Sequence, residues 1–484
     1  MNWKAISRSV GAALLVSSLF MLLGVIVSVA SAGDTSRTAL FISFIITFLV
    51  GVFPYIFVRR TKAITLKEGY VTITLSWLLS FVFGMLPYAL WGGPFTLENA
   101  WFESVSGFTT TGATILEDVE ALPNGLLFWR SATHFIGGLG VVVFLLLIIP
   151  DSSPVKLRLV NMEVGALSRT SYGGRLNRTV NIFGYVYFGI FGLALILYLL
   201  AGMPFFDALC HGMSVTATGG FSTKNASIAA FGSRWIEAAT MVCMYLSSIH
   251  FGLLLLTVVT RSLKPLNNPI TKYYTVSVLV FALFLGIGLK AYGYYNSWGE
   301  SLWNGLFEVM CISTTTGFAI TDNSTWPGIL CAIIMLPAAV CACAGSTSGG
   351  LKIDRILLMF RSIGRQINRI LHPSSVNEVR FSGRILKDED VAPQLLYIVM
   401  YIVLLALSML LCLWAGVGWQ NSLGASITSL SNVGPALGDM GSMGNFNGAP
   451  DVAKFVFTMD MFLGRIEIYP VLAVVAMIFD RRNH

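Results

Sequence analysis

The chain has 484 residues, of which 55% are hydrophobic and only 11% charged, with a mean hydropathy of +0.74. Soluble chains carry about 25% charged residues, so the composition excludes a soluble multidomain protein and indicates a polytopic membrane protein. The net charge of +7 lies in short loops between apolar segments. We therefore do not take it as a sign of nucleic-acid binding.

Ten apolar segments follow one another along the chain, each near the roughly 20 residues that a membrane-spanning helix needs. The first, residues 9–30, is longer than the apolar part of a signal peptide, so we expect it to be retained. The second covers residues 38–58. The other eight form four pairs: 69–91 with 126–149, 179–200 with 235–260, 275–295 with 327–360, and 394–415 with 452–480.

Each pair encloses a short apolar segment, at residues 97–107, 205–215, 302–312 and 422–430. These segments are too short to cross a bilayer, so we predict half-helices that enter the membrane and return. The resulting fold class is an all-α membrane protein with four helix–pore-loop–helix repeats around one pore. The predicted segments are the two leading helices (1–64) and the repeats 65–155, 156–263, 264–371, whose second helix is interrupted, and 372–484.

A Thr/Gly-rich motif follows every half-helix. The copies are Thr109-Thr110-Thr111-Gly112, Thr216-Ala217-Thr218-Gly219, Thr314-Thr315-Thr316-Gly317 and Ser431-Asn432-Val433-Gly434. Aligned on the last glycine, they are 107, 98 and 117 residues apart. Asn99, Asn304 and Asn421 stand 13 residues before their glycine, and Glu103 and Glu308 stand nine before, whereas the second copy has Phe206-Asp207 instead of Asn. A fixed internal period indicates a repeated structural unit.

Glycine allows a positive φ, so backbone carbonyls in these motifs could turn toward one axis. Rings of carbonyl oxygens can replace the hydration shell of a cation. Irregular backbone at membrane depth is tolerated only where it is packed in protein or lines a wet cavity. A single copy would suit an ordinary turn, but four copies between long apolar segments favour a pore.

Basic residues predict the orientation. Of the 31 Lys and Arg residues, 24 fall on one side, in the N-terminus, 59–67, 156–178, 261–272, 352–387 and the C-terminus, and 4 fall on the other. The remaining three, Arg130, Lys290 and Arg465, lie within the apolar segments or near their ends. The positive-inside rule then places both termini in the cytoplasm and the Thr/Gly motifs near the outer face. Glu117, Asp118 and Glu120 follow the first motif. They would form either an acidic outer vestibule that concentrates cations or a solvated turn.

Together, the four motifs, the two leading helices and the segment Gly464-Arg465-Ile466-Glu467 resemble the TrkH/TrkG branch of the TrkH/TrkG/KtrB superfamily of potassium-uptake proteins. The resemblance covers essentially the whole chain. It implies uptake of K⁺ across the bacterial cytoplasmic (inner) membrane through a channel-like pore. It also implies a selectivity filter whose residues are Thr110, Thr111, Gly112, Ala217, Thr218, Gly219, Thr315, Thr316, Gly317, Asn432, Val433 and Gly434. The fourth motif departs most from the pattern, so fourfold symmetry is approximate.

Arg465 lies near the middle of the last apolar segment. A charge there is costly and normally faces a cavity or a partner. It could pair with Glu467 or Asp460 or sit at a helix junction. Alternatively, it could place a positive charge in the pore below the filter, as the resemblance implies.

The third repeat contains a polar interruption, which we call the intramembrane loop (residues 344–350). Its residues are Ala344, Gly345, Ser346, Thr347, Ser348, Gly349 and Gly350. Its glycines break the helix, and Leu351 stands where a nucleotide-binding loop would need lysine. The interruption could be a plain kink. The resemblance implies instead a loop beneath the filter that gates the pore.

Residues 352–371 read as an amphipathic helix with an isoleucine-rich stripe flanked by arginines. It could lie at the lipid headgroups or dock a cytosolic regulator. The resemblance implies such a partner, a nucleotide-binding RCK-type (TrkA-like) subunit, together with a homodimer of the membrane protein.

The alternatives are an enzyme and a cation-coupled symporter. His134, His211, His250, His372 and His484 show no metal-ligand spacing, and no hydrolase motif occurs. We expect no catalytic residue and no organic cofactor, with K⁺ only as the transported ion. A Na⁺- or H⁺-coupled potassium symporter is the serious alternative, although such transporters usually show two inverted halves. We expect the seven cysteines to be buried thiols.

Overall fold

The structure is a computed structural model that describes residues 1–59, 65–148, 176–373, 379–381, 384–386 and 388–479. The helices in these ranges are α1 (Trp3–Ala30), α2 (Arg37–Phe57), α3 (Leu66–Gly84), α4 (Leu86–Trp91), α5 (Leu97–Phe108), α6 (Asn124–Ile148), α7 (Leu176–Leu200), α8 (Phe205–Thr216), α9 (Arg234–Ser248), α10 (Phe251–Thr260), α11 (Pro269–Ala291), α12 (Trp298–Ser313), α13 (Gly328–Val340), α14 (Ile353–Leu371), α15 (Asp388–Trp414), α16 (Trp419–Leu430), α17 (Asp451–Ile466) and α18 (Ile468–Phe479). A short antiparallel hairpin joins β1 (Val379–Phe381) to β2 (Arg384–Leu386), with Val379 opposite Leu386. The predicted all-α class is confirmed, this hairpin apart.

The two leading helices pack against each other and against α6 of the first repeat. A Cβ atom built on Gly11 would lie 2.6 Å from the Gly51 carbonyl oxygen, and one on Gly51 would lie 3.1 Å from that of Gly11. Small residues at such a crossing let two helix backbones approach closely inside a membrane. The two leading helices therefore form a closely packed pair on one side of the repeats.

Every repeat contains a long first helix and a half-helix, followed by a loop and a second helical segment. The half-helices are α5, α8, α12 and α16, of 12, 12, 16 and 12 residues. Among the described residues, six helices are long and apolar enough to span a membrane, and they are α1, α2 and the first helix of each repeat. The first repeat's helix runs from α3 into α4, and α9 with α10 adds a seventh if the bent pair counts as one span.

The second helical segments are broken in three repeats. The predicted interruption in the third repeat is confirmed, since α13 ends at Val340 and α14 begins at Ile353. The continuous helices predicted at 235–260 and 452–480 are wrong: α9 and α10 meet at 104°, and Glu467, with φ of 67°, separates α17 from α18. Neither glycine nor proline stands at these breaks themselves, although Gly464 and Pro470 lie three residues before and after Glu467.

Among the described residues, the two largest apolar clusters flank the four loops. One joins the leading helices to repeats one and four and includes Trp77, Phe81 and Trp129. The other joins repeats two and three and includes Tyr274 and Phe307. All seven cysteines are free thiols, and only Cys331 is partly exposed, as expected.

The predicted basic segment 156–178 lies almost wholly outside the described residues, as does the end of the last predicted span. The residue boundaries of the four repeats stay predictions.

Candidate functional site

The four loops after the half-helices share one strained backbone position. Thr110, Thr218, Thr315 and Asn432 have φ angles of 56°, 53°, 58° and 56°. The next residue in each loop donates its N–H to the carbonyl five residues earlier, at 3.0, 2.9, 2.9 and 2.8 Å. A side chain in this left-handed region is strained by about 1–3 kcal/mol. Its recurrence at four equivalent positions points to a functional constraint on the backbone.

This conformation corrects the sequence alignment of the second repeat by one residue. The glycine two residues after the strained position is Gly112, Gly317 or Gly434 in three repeats, and in the second repeat it is Gly220. The spacings become 108, 97 and 117 residues. Ala217 is then equivalent to Thr109, and its carbonyl accepts the Thr218 hydroxyl at 2.7 Å. The consecutive pair Gly219-Gly220 made the sequence ambiguous.

The corrected register also restores the pattern upstream. Asp207 now stands 13 residues before its glycine, at the position of Asn99, and His211 stands nine before, at the position of Glu103. His211 Nε2 is 2.9 Å from the Ser222 hydroxyl, and Glu103 accepts a hydrogen bond from the equivalent Thr114 hydroxyl at 3.0 Å. Both polar residues therefore tie a half-helix to the chain that follows its loop.

The four loops close into a ring. A Cβ atom built on Gly112 would lie 2.7 Å from the Gly220 nitrogen, and one built on Gly220 would lie 2.7 Å from the Thr316 oxygen. A Cβ atom on Gly317 would lie 2.8 Å from Pro435 Cδ. A Cβ atom on Gly434 would lie 3.2 Å from the Gly112 carbonyl carbon. Each loop thus touches the next, and the fourth touches the first. A side chain would clash at each of these positions, so backbone atoms and the Pro435 ring form the contact surface between loops.

A cleft opens on one side of the ring, and all four glycines line its floor. The predicted acidic residues line or flank it. Glu117 accepts a hydrogen bond from Asn447 at 2.7 Å, and Glu120 pairs with Lys224 at 3.4 Å. The hydrogen bond from Asn225 holds the pKa of Asp118 below its usual value. Lys224 offsets part of the negative charge, so the cleft is less acidic than the sequence suggested.

Behind the ring, the loops are supported in different ways. In repeats one and three, two threonine hydroxyls meet, Thr109 with Thr111 at 2.8 Å and Thr314 with Thr316 at 2.7 Å. In repeat four, Ser431 bonds Tyr401 at 2.6 Å. The Asn432 amide donates to Thr111 Oγ1 at 3.1 Å and to the Met461 carbonyl at 2.8 Å, which joins the fourth loop to the first.

A buried ion pair anchors loops one and two. Arg130 Nε lies 2.8 Å from Glu103 Oε1, and these side chains are 2% and 0% exposed. The guanidinium also donates to the Ser222 carbonyl at 3.1 Å and lies 4.1 Å from the centre of the Phe221 ring. Removing one partner of such a pair costs about 3–5 kcal/mol. The sequence marked Glu103 by its repeat position but gave no signal that Arg130 is its partner.

The intramembrane loop (residues 344–350) lies against the other end of the ring. Thr347 Oγ1 donates to the Thr216 carbonyl, at the end of α8, at 3.3 Å. Thr315 Oγ1 donates to Ser348 Oγ at 3.2 Å and accepts the Gly349 N–H at 3.3 Å. A Cβ atom on Gly349 would lie 2.5 Å from the Ser431 carbonyl oxygen. The loop therefore touches repeats two, three and four below the ring.

The break between α9 and α10 holds the start of this loop. The Cys343 N–H donates to the Ser248 carbonyl at 3.3 Å, and the Phe251 N–H donates to the Gly345 carbonyl at 3.0 Å. Asp354, at the start of α14, accepts the Ala344 N–H at 2.7 Å. Gly345 and Gly350 have φ angles of 78° and 72°. These glycines let the chain reverse within the membrane without the penalty that a side chain would bring.

Arg465 bridges the intramembrane loop to α6. Its Nη1 donates to the Thr347 carbonyl at 2.6 Å and its Nη2 to the Gly137 carbonyl at 2.9 Å. Glu467, one of the predicted alternatives, instead pairs with Arg355 at 2.9 Å and with Lys352 at 3.3 Å. The other, Asp460, accepts a hydrogen bond from Ser408. The arginine thus holds two backbone carbonyls from different repeats below the ring.

Comparison with known proteins identifies the family. The family described as "TrkH: Cation transport protein" matches residues 36–287 and 270–483. The Trk system potassium uptake protein TrkH of Halomonas elongata is 31% identical over all of both chains. TrkG of Escherichia coli is 30% identical over 93% of both chains.

The crystal structure of the potassium transporter TrkH from Vibrio parahaemolyticus superposes with a TM-score of 0.89 at 28% identity, covering 99% of this chain and 100% of that one. These relatives are transport proteins, in agreement with the expectation that the chain is not an enzyme. The apolar helices make it a multi-pass membrane protein. The chain belongs to the TrkH family of cation transport proteins.

Proposed function

We propose that this protein takes up K⁺ across the bacterial cytoplasmic membrane through a channel-like pore whose selectivity filter is the ring of four loops. The closed contact from Gly112 through Gly220, Gly317 and Gly434 back to the first loop carries this proposal. The names of the relatives, as potassium uptake proteins and a potassium transporter, support K⁺ as the ion. The filter carbonyls are those of Thr110, Thr111, Thr218, Gly219, Thr315, Thr316, Asn432 and Val433.

Two features of the loops favour a cation at the centre of the ring. Carbonyl oxygens can replace the water ligands of K⁺. In addition, each half-helix ends at its loop, and the partial negative charge at a helix C-terminus favours a cation. The mixed supports behind the ring make its symmetry approximate.

The intramembrane loop, with Gly345, Ser346, Thr347, Ser348, Gly349 and Gly350, is the gate of this proposal. Its contacts with Thr216 and Thr315, at the end of the ring opposite the cleft, support this role. Arg465 holds it there by the Thr347 carbonyl. Movement of the loop away from the ring would open a path for the ion.

Control of the gate is assigned to a cytosolic RCK-type subunit. The relatives are named as parts of a Trk system, which supports association with other Trk components. Within the described residues, α14 is attached to the intramembrane loop through Asp354 and exposes apolar residues such as Phe360 and Ile367. We further propose a homodimer in the inner membrane with both termini in the cytoplasm.

Ion flux in proteoliposomes tests this function. The purified protein is reconstituted into vesicles either alone or with the RCK-type regulatory subunit. A K⁺ gradient or an equal Na⁺ gradient is then imposed, and protein-free vesicles are the control. We expect K⁺ flux down its gradient in excess of Na⁺ flux, raised by the active regulatory subunit. If K⁺ accumulates against its gradient only when a Na⁺ or H⁺ gradient is imposed, the protein is a symporter.

A further inference from the structure

The second loop lacks the side chain that supports the other three. The residue after the strained position is Thr111, Thr316 or Val433 in repeats one, three and four, but Gly219 in repeat two. Branched side chains restrict the backbone, whereas glycine leaves it free. The second loop carries two successive glycines, so its carbonyls need support from elsewhere.

The imidazole of His134 occupies the place of the missing side chain. A Cβ atom on Gly219 would lie 2.5 Å from His134 Nδ1 and 2.7 Å from Cε1. The ring is stacked on Phe221 with centroids 4.2 Å apart and an interplanar angle of 13°. Its Nδ1 lies 3.3 Å from the Ser214 hydroxyl on the half-helix of the same repeat. The side chain is fully buried.

One face of α6 presses on the second loop over two turns. Arg130, His134 and Gly138 are spaced four residues apart, so they lie on one face of the helix. Arg130 bonds the Ser222 carbonyl at 3.1 Å, and a Cβ atom on Gly138 would lie 2.8 Å from Ala217 Cα. Helix α6 therefore contacts the second loop at Ala217, at Gly219 and at Ser222.

We propose that His134 is a positioning residue for ion selectivity: it is an external substitute for the side chain absent at Gly219, and it holds the Thr218 and Gly219 carbonyls toward the ion. This inference rests on the proposed filter function. It predicts that the imidazole and a threonine at position 219 are interchangeable. Gly219 itself lies outside the left-handed region, so the imidazole and not the backbone opposes a side chain there.

The test removes side-chain volume at position 134 and adds it at position 219. The variants are His134→Ala, Gly219→Thr and the double variant, with Phe135→Ala as the control. Phe135 neighbours His134 in sequence but packs against Tyr187 and Phe191 of α7 at ring distances of 5.0 Å. K⁺ and Na⁺ fluxes are measured in proteoliposomes of the full-length protein, beside thermal stability in detergent.

We expect each single variant at the filter to lower the K⁺-to-Na⁺ flux ratio by about tenfold, equivalent to about 1.4 kcal/mol of discrimination. The double variant should recover most of this ratio. Phe135→Ala should lose stability but keep the ratio. Should a single variant fail to fold, the double variant decides: recovered folding and selectivity support the exchange.

A double variant that is no better than the single ones overturns the inference, as does His134→Ala with the native ratio. These outcomes are distinct from failure of the proposed function, which would appear as absent K⁺ flux or absent preference in the unaltered protein.

Discussion

Removing the Arg465 side chain tests whether the intramembrane loop is held closed by the bridge between Thr347 and Gly137. The guanidinium makes two charge-assisted hydrogen bonds, at 2.6 and 2.9 Å, and bonds of this kind contribute about 1.5–3 kcal/mol each. Water can replace part of this hydrogen-bond free energy, so Arg465→Ala should weaken docking of the intramembrane loop by about 2–3 kcal/mol. This corresponds to a shift of about 30- to 150-fold toward the displaced loop.

If Arg465 faces the proposed pore, the same substitution also removes a positive charge from the path of the ion. At 4–6 Å and an effective dielectric near 20, that charge opposes a passing cation by about 3–4 kcal/mol before screening. Both effects raise flux. Arg465→Lys separates them, because lysine keeps the charge as a point donor but lacks the fork that can bridge two carbonyls.

The assay is K⁺ flux per folded molecule beside thermal stability for Arg465→Ala and Arg465→Lys. Stability should stay near native, because Glu467 keeps Arg355 and Lys352 as partners. A flux rise in both variants indicates the hydrogen-bonded bridge, and a rise in Arg465→Ala alone indicates the charge barrier. Native flux in a folded Arg465→Ala protein would refute both roles.

The Gly434→Ala variant should reduce the selectivity for K⁺ over Na⁺, because its Cβ would lie 3.2 Å from the Gly112 carbonyl carbon. The control is Gly416→Ala, where φ is also positive but the space around the glycine is open, so only stability should fall. Deletion of residues 345–350 should raise flux and reduce its dependence on a regulator; a correctly inserted protein with unchanged flux would count against a gate. Glu467→Gln should lower the free energy of unfolding by about 3–5 kcal/mol, because it leaves two buried cations without their carboxylate; a denaturation curve that matches the native one would contradict that burial.

The sequence predicted the fold well because its signals are local. Apolar length and the fourfold motif need no knowledge of tertiary contacts, and the glycines of the intramembrane loop indicate its break. The breaks at Ile249 and Glu467 were missed because both lie inside long apolar runs, although Gly464 and Pro470 flank the second break. The register of the second loop was missed because Gly219 and Gly220 are adjacent, and only backbone geometry shows which one meets Gly112.

The contacts that hold the four loops and the intramembrane loop in place could not be predicted from the sequence either. Arg130 and Glu103 are 27 residues apart, and Arg465 and Thr347 are 118 apart. Pairing over such separations depends on how the helices pack. A charged residue inside an apolar segment signals a function or a partner, but it does not name the partner.

Direct location of the ion tests the central claim. Crystals of the protein grown in K⁺ and soaked in Rb⁺ or Tl⁺ would be examined for anomalous scattering along the axis of the four loops. The account predicts heavy-ion peaks enclosed by the carbonyls of Thr110, Thr218, Thr315 and Asn432 and of the residues that follow them. Peaks elsewhere in the membrane region, with none inside this ring at saturating ion, would contradict it.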